Sequence, residues 1–206
     1  MAEKDKQTEE KIFEAAMEVF VEKGMDGARM QNIANQAGIN KSLLHYYYRS
    51  KERLFNAVFE RIALKMFAIF APVFNENMSL EEKIRFFYHE HITFLQNNPL
   101  FPSFLIYEIN RNPERIKKFI DNIDVESLWS MLSTQHSDDL RKYNITRESI
   151  PQIMTTMVAI SVFPFAAHGI LETILEKMEI DFDDYLEERK KFAADFVISA
   201  LKNMNQ

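Results

Sequence analysis

The segment Met30–Lys51 constrains the fold more than any other part of the chain. Ile33 and Ala37 recur at the spacing of one helix face, and Gly38 follows them. A helix end favours glycine there, because it adopts positive φ without a Cβ penalty. Asn40 precedes a second run of apolar periodicity, where its side-chain oxygen is suited to cap a helix start. The segment therefore predicts two short helices joined by a tight glycine turn.

The second of these helices begins near Lys41 and has two unlike faces. At about 100° per residue, Leu44 and Tyr48 share one side of the helix. The opposite side carries Ser42, His45 and Tyr46. Hydroxyl, imidazole and aromatic groups contact phosphates and base edges, and the major groove of DNA is wide enough to admit a helix. Two bundle helices joined by a glycine turn have the same local pattern, so this segment alone leaves DNA binding and plain packing open.

Charge sets the same region apart. The whole chain has a formal net charge of −6 and a pI of about 5.5, which argues against nucleic-acid binding. Residues 29–55, however, hold five basic residues against one acidic residue, a net of +4. Residues 1–28 hold four against eight, a net of −4, and residues 56–206 hold 16 against 22, a net of −6. A small basic module is thus attached to an acidic body.

A longer pattern runs through the first quarter of the chain: Ile12, Ala15, Ala16, Phe20, Gly24, Ile33, Ala34, Ala37, Gly38, Ile39, Leu44, Tyr46, Tyr47, Tyr48, Ser50, Lys51, Glu52 and Leu54. With this pattern, the residues from about Thr8 to Leu54 resemble the N-terminal domain of the TetR family of transcriptional repressors. The resemblance implies that a set of residues faces DNA: Lys41, Ser42, Leu43, His45, Tyr46 and Tyr47. It also implies that Lys51 holds a phosphate. Family members often carry Ser or Thr in place of Arg29, and we predict that Arg29 and Gln31 add contacts to a phosphate or a base.

The remaining sequence predicts helices. Only four glycines and six prolines occur in 206 residues, which disfavours long strand-and-turn architectures. Helix start and stop signals predict about nine helices and no strand. We therefore predict an all-α fold with an N-terminal three-helix helix-turn-helix DNA-binding domain over residues 1–54. A helix over residues 51–72 links it to a C-terminal helical ligand-binding and dimerisation domain over residues 55–206.

The last two predicted helices carry apolar stripes. The first extends from Thr146 to about Glu176 and is expected to be disturbed at Pro164 and Gly169. The second extends from Asp181 or Asp183 to about Asn203. Their apolar residues are Ile153, Met157, Ile160, Phe163, Ala167, Ile170, Tyr185, Phe192, Phe196, Val197 and Leu201. The family resemblance implies a homodimer through these helices, whereas the stripes could equally complete the core of one subunit. The two N-terminal domains of such a homodimer would bind half-sites about 34 to 36 Å apart and so recognise a palindromic operator in double-stranded DNA.

A high density of aromatic residues between Phe86 and Trp129 is typical of a pocket for small apolar ligands, although aromatic residues at helical spacing are often core. The resemblance places a ligand cavity in this region of the chain. The predicted ligand-binding residues are Phe86, His89, Phe104, Tyr107, Glu108, Trp129, Met157 and His168. We expect a small apolar or aromatic effector.

Signals of other classes are missing from the sequence. It has no cysteine, no HExxH, no Glu-x-x-His and no glycine-rich phosphate loop, so we expect no enzyme, no catalytic residue, no metal and no cofactor. No apolar run approaches about 18 residues, and the charged N-terminus is unlike a signal peptide. We expect a soluble, cytoplasmic protein with no membrane segment.

Together these features predict a ligand-responsive transcriptional repressor that binds a palindromic operator as a homodimer and is released by its effector. The alternative is an all-helical protein-binding adaptor without DNA binding.

Overall fold

The computed structural model describes residues 2–70, 78–99, 101–111, 113–114, 117, 121 and 124–203. Within these ranges every regular element is a helix, which confirms the all-α prediction. The eleven helices are α1 (Ala2–Gly27), α2 (Met30–Gln36), α3 (Lys41–Tyr47), α4 (Lys51–Phe70), α5 (Leu80–Asn97), α6 (Phe101–Arg111), α7 (Val125–Gln135), α8 (Ser137–Lys142), α9 (Ile150–Ala166), α10 (His168–Lys177) and α11 (Phe182–Asn203).

The chain forms two compact units. Unit 1 comprises residues 1–65 and 103–113, and unit 2 comprises residues 66–102 and 114–206. Helix α4 contributes residues to both units, and so does α6. The predicted domain boundaries at residues 54 and 55 remain a prediction, and the predicted end of the linking helix at Pro72 lies outside the described residues.

Unit 1 is built around α1, α2, α3 and the first part of α4. Ile12 and Phe20 of α1 are fully buried, as is Phe55 of α4. The rings of Phe20 and Phe55 meet edge to face with centroids 4.9 Å apart. Phe104 of α6 packs on the other side of this cluster, 5.6 Å from the ring centroid of Phe55. A segment from α6 therefore completes a core that otherwise comes from the first 65 residues.

Unit 2 is centred on α5, which packs most extensively against α11 and also against α9. A capping box starts α5: Ser79 accepts from the backbone N–H of Glu82, and the Glu82 carboxylate accepts from the backbone N–H of Ser79. The α5 face towards this packing carries Tyr88, Ile92 and Leu95, all at most 1% exposed.

Helix α9 contains Pro164, which has no backbone N–H to donate to the carbonyl of Ile160 one turn earlier. Arg189 of α11 supplies the missing donor, with Nη2 3.1 Å from the Ile160 oxygen. A side chain on a neighbouring helix thus satisfies a carbonyl that the proline leaves without its intrahelical partner.

The described residues form eleven helices, two more than the nine predicted. The difference arises at two places in the chain. The predicted helix from Thr146 to Glu176 is two helices, bent by 74° between α9 and α10. The sequence predicts a disturbance of this helix at Pro164 and Gly169, and the break lies between these two residues. The apolar run continues across the break, which is why one helix is predicted there. The other addition is α8, which lies in a segment interpreted as irregular because it is polar.

No single helix among the described residues is both long and apolar enough to cross a membrane, and only the bent pair α9 and α10 meets those criteria of length and composition jointly.

Candidate DNA-binding interface

The turn between α2 and α3 has the geometry that the sequence predicts. Gly38 adopts φ of 66°, and its N–H donates to the oxygen of Asn35 at 3.1 Å. The N–H of Ile39 donates to the oxygen of Ala34 at 3.0 Å. These two bonds form a Schellman motif, which ends α2 and requires a left-handed residue at the glycine position. The chain is thereby redirected into α3.

Asn40 starts α3 as a helix cap. Its side-chain oxygen accepts from the backbone N–H of Leu43 at 2.7 Å. Leu44 is fully buried, as are Ile33 and Ala34 of α2. The Asn40 cap fixes the start of α3, and the burial of Leu44 fixes the rotation of α3 about its own axis.

The rotation of α3 leaves one face exposed. Lys41, Ser42, His45 and Tyr46 are all exposed, and Tyr46 is 80% accessible. Leu43 and Tyr47 are half-buried at the flanks of this face. An exposed face with one ammonium, one hydroxyl, one imidazole and one phenol suits hydrogen bonding to phosphates and base edges.

Two further predicted contact residues lie at the start of α2. Arg29 is exposed at the N-cap position, where its side chain makes no capping bond. Gln31 is also exposed, and its amide donates to the side-chain oxygen of Asn35 at 2.8 Å. The Gln31 contact is an internal one along α2, so an approaching base or phosphate would compete with Asn35.

Lys51 has a structural partner that the resemblance did not indicate. Its ammonium donates to the backbone oxygens of Asp26 at 3.2 Å and Ala28 at 3.0 Å. Asp26 lies at the end of α1, and Ala28 lies in the connection to α2. An ammonium has three donors, so two carbonyl bonds leave one donor for a phosphate. Lys51 therefore fastens the start of α4 to the corner that leads into α2.

Tyr47 also has a neighbour that pattern reasoning missed. Its hydroxyl donates to a carboxylate oxygen of Asp5 at 3.0 Å, across 42 residues of sequence. Partial desolvation, followed by the hydrogen bond to Asp5 and its negative charge, raises the pKa of Tyr47. The only sequence signal for this contact is the net negative charge of residues 1–28.

The predicted ligand-binding residues are divided between the two units. Phe104 and Glu108 are buried in unit 1, and Tyr107 lies on the same helix with its side chain outside the described residues. The other five belong to unit 2: Phe86, His89, Trp129, Met157 and His168. The His89 side chain is 63% exposed and 3.9 Å from Glu90. His168 contacts Glu172 at 3.4 Å and the ring of Phe182 with centroids 4.4 Å apart.

A buried polar pair in unit 2 was not among the predicted residues. His91 Nδ1 of α5 lies 2.8 Å from the hydroxyl of Ser161 in α9, and both residues are at most 2% exposed. Burial lowers the pKa of His91 to about 4, so its imidazole is neutral at pH 7. Within the ranges described, no cluster of three or more His, Asp or Glu residues could hold a metal ion.

The capped glycine turn and the exposed face of α3 define a helix-turn-helix protein. Residues 12–58 match the family described as bacterial regulatory proteins, tetR family. Over these residues the chain is similar to that family.

Two relatives named as transcriptional repressors match part of the chain. The chain is 43% identical over 74 residues to the transcriptional repressor SCO4008 of Streptomyces coelicolor, covering 35% of this chain and 38% of that protein. It is 38% identical over 61 residues to the transcriptional repressor NicS of Pseudomonas putida, covering 30% of this chain and 29% of that protein. The matches therefore span well under half of these relatives.

The whole fold has a counterpart in a TetR-like transcriptional regulator from Rhodococcus sp. RHA1. That structure aligns with a TM-score of 0.59 at 21% identity, over 90% of this chain and 93% of that one. The structure therefore shares its fold with that regulator.

Proposed function

We propose that this protein is a ligand-responsive transcriptional repressor that binds a palindromic operator as a homodimer. The observation that carries the proposal is the face of α3 that holds Lys41, Ser42, His45 and Tyr46. This face is exposed because Leu44, on the opposite side, is fully buried against α2. Two curated relatives named as repressors support the direction of regulation. Such a role requires the protein to work where the DNA is, in the cytoplasm.

The residues proposed to touch DNA divide by role. Lys41 and His45 project from the exposed face of α3 and are proposed to read base edges. Arg29, Tyr47 and Lys51 lie around that face and are proposed to hold phosphates, which fix orientation but carry no sequence information. Gln31, Ser42, Leu43 and Tyr46 complete the proposed contact set.

A second subunit is proposed to cover the apolar surface of α9, α10 and α11. Phe163, Ile170, Phe192 and Phe196 are 56–71% exposed, whereas Val197 of the same predicted stripes is buried. The stripes therefore divide between the subunit core and the surface. The rings of Phe192 and Phe196 stack with centroids 6.1 Å apart and present one apolar patch. Apolar patches of this kind on one subunit mark association surfaces.

The effector is proposed to be a small apolar or aromatic molecule bound by the eight predicted ligand-binding residues. An effector releases DNA only if it binds the DNA-free conformation more tightly than the DNA-bound one. Reciprocity then requires operator DNA to weaken effector binding by the same factor.

Selection from a random duplex library tests the DNA-binding proposal. We expect one palindromic sequence, and we expect the logarithm of the binding constant to fall steeply and linearly with the logarithm of salt concentration. Lys41→Ala should change the base preference, whereas Tyr47→Ala should weaken binding to all sequences about equally. If selection enriched no sequence and the binding constant of the wild type did not depend on salt, a protein-binding adaptor would be the better description.

Sedimentation at micromolar concentration tests the dimer. The wild type should sediment as a dimer, and Phe192→Asp should shift it towards the monomer by placing a charge in the patch. The matched control is Lys191→Asp, which alters charge at an exposed neighbouring position outside the patch. A monomeric wild type would contradict the proposal.

A further inference from the structure

The first turns of α1 bring negative charge to the end of the proposed recognition helix. The hydroxyl of Tyr47 donates to Asp5 at 3.0 Å, and Glu9 is exposed one turn further along α1. The negative charges of both Asp5 and Glu9 act on Tyr47 and contribute to raising its pKa, after partial desolvation and the hydrogen bond to Asp5. We call Asp5 and Glu9 the acidic pair.

This placement conflicts with the role proposed for Tyr47. The hydroxyl of Tyr47 can donate to a phosphate only after it has left Asp5. Moreover, a phosphate that reached Tyr47 would come close to two like charges. The positive residues on the contact face, such as Lys41 and Arg29, are exposed and attract any DNA backbone irrespective of sequence. The acidic pair opposes that attraction at one edge of the contact face.

From this geometry, and resting on the proposed DNA-binding function, we propose that Asp5 and Glu9 are negative determinants of DNA affinity. Asp5 competes with phosphate for the hydroxyl of Tyr47, and both carboxylates repel the DNA backbone, so that binding requires enough other contacts to overcome them. Specificity built on a repulsive element is a general way to suppress unwanted partners.

The size of the effect is estimated from Coulomb's law. The repulsion between two like charges about 4 Å apart in water corresponds to about a fivefold loss of binding affinity. The repulsion decreases with distance and with salt concentration. Asp5→Asn removes the charge but keeps an oxygen that accepts from Tyr47. We therefore expect Asp5→Asn to tighten binding about two- to fivefold and Asp5→Asn with Glu9→Gln to tighten it about tenfold.

Fluorescence anisotropy with a 30-base-pair duplex of mixed sequence, at 50 and 300 mM salt, measures these changes. The matched control is Glu22→Gln, which removes the same charge from the far end of α1, where Glu22 is exposed beside Lys23. The control should change affinity by less than about 1.5-fold, and the gain from Asp5→Asn should shrink at 300 mM salt. Circular dichroism should show equal helicity and melting for all variants.

The outcomes separate this proposal from the one on which it rests. Tighter binding by the Asp5 variants than by the Glu22 variant supports the acidic pair as a negative determinant. Equal affinity in all variants, or weaker binding by Asp5→Asn, overturns it while leaving DNA binding intact. If neither the wild type nor the double variant binds duplex DNA at 50 mM salt, the proposed DNA-binding function itself fails.

Discussion

Replacing Arg189 by Met should destabilise the protein because Pro164 makes Arg189 necessary. Pro164 has no N–H, so the carbonyl of Ile160 depends on the Arg189 guanidinium, 3.1 Å away. A hydrogen bond to a charged group contributes about 1.5–3 kcal/mol, and a buried acceptor left without a donor costs about 1–3 kcal/mol. Arg189 is half-buried, so we take the lower part of these ranges and expect Arg189→Met to lower the free energy of unfolding by about 2 kcal/mol.

The decisive measurement is a double-mutant cycle with Pro164→Ala. Alanine restores a backbone N–H that can donate to Ile160, which makes the guanidinium bond redundant. In the Pro164→Ala background, Arg189→Met should therefore cost less than about 1 kcal/mol, giving a coupling energy of about 1 kcal/mol or more. Urea unfolding followed by circular dichroism, at one fixed protein concentration, supplies all four values, because association would otherwise shift the apparent stability.

Lys191→Met is the control for loss of a positive charge on α11, because Lys191 is exposed. It should change stability by no more than about 0.5 kcal/mol. The reasoning is refuted if Arg189→Met costs the same in both backgrounds. Equal costs would mean that Arg189 stabilises α11 through its aliphatic stem or its contact with Tyr185, and not through the carbonyl that the proline leaves behind.

Three further predictions follow from single positions. Gly38→Ala should destabilise the protein by about 1–2 kcal/mol because φ at this position is 66°, although the new Cβ would meet no atom within 4 Å. The control is Gly169→Ala, whose Cβ would be equally uncrowded in a helix, and which should be neutral or stabilising in thermal melts. Asn40→Ala should cost about 1 kcal/mol by uncapping α3 and should also weaken DNA binding, whereas Asn40→Ser should restore both. The fold lowers the pKa of His91 to about 4. Below about pH 6.5 the unfolded chain therefore binds the proton more readily than the folded chain does. The free energy of unfolding should fall by about 2 kcal/mol from pH 7.5 to 5. His91→Gln should flatten that pH profile in urea titrations, and an unchanged profile would show that other groups cause it.

The parts of the fold that the sequence predicts well are those set by neighbours in the chain. Gly38, Asn40 and Ser79 act within four residues of their own positions, so turn and capping chemistry was readable without any tertiary knowledge. The exposed and buried sides of α3 follow from helical periodicity around Leu44 for the same reason.

The parts that sequence reasoning missed depend on contacts between distant segments. Asp5 reaches Tyr47 across 42 residues, and Arg189 reaches Ile160 across 29. Nothing in local composition specifies either pair. The predicted pocket residues stay a prediction, and the fold divides them between the two units.

The contacts of Lys51 and Phe104 limit where the N-terminal DNA-binding domain can be cut and fused to another regulator. A fusion made after residue 50 would lose the ammonium that binds the Asp26 and Ala28 carbonyls, and would leave the corner before α2 untied. A fusion made after residue 65 would keep that tie but uncover Phe55, which is fully buried and packs against Phe104 of α6. A working chimera therefore needs a recipient whose own sixth helix presents an aromatic side chain at the place of Phe104, which makes that helix part of the graft.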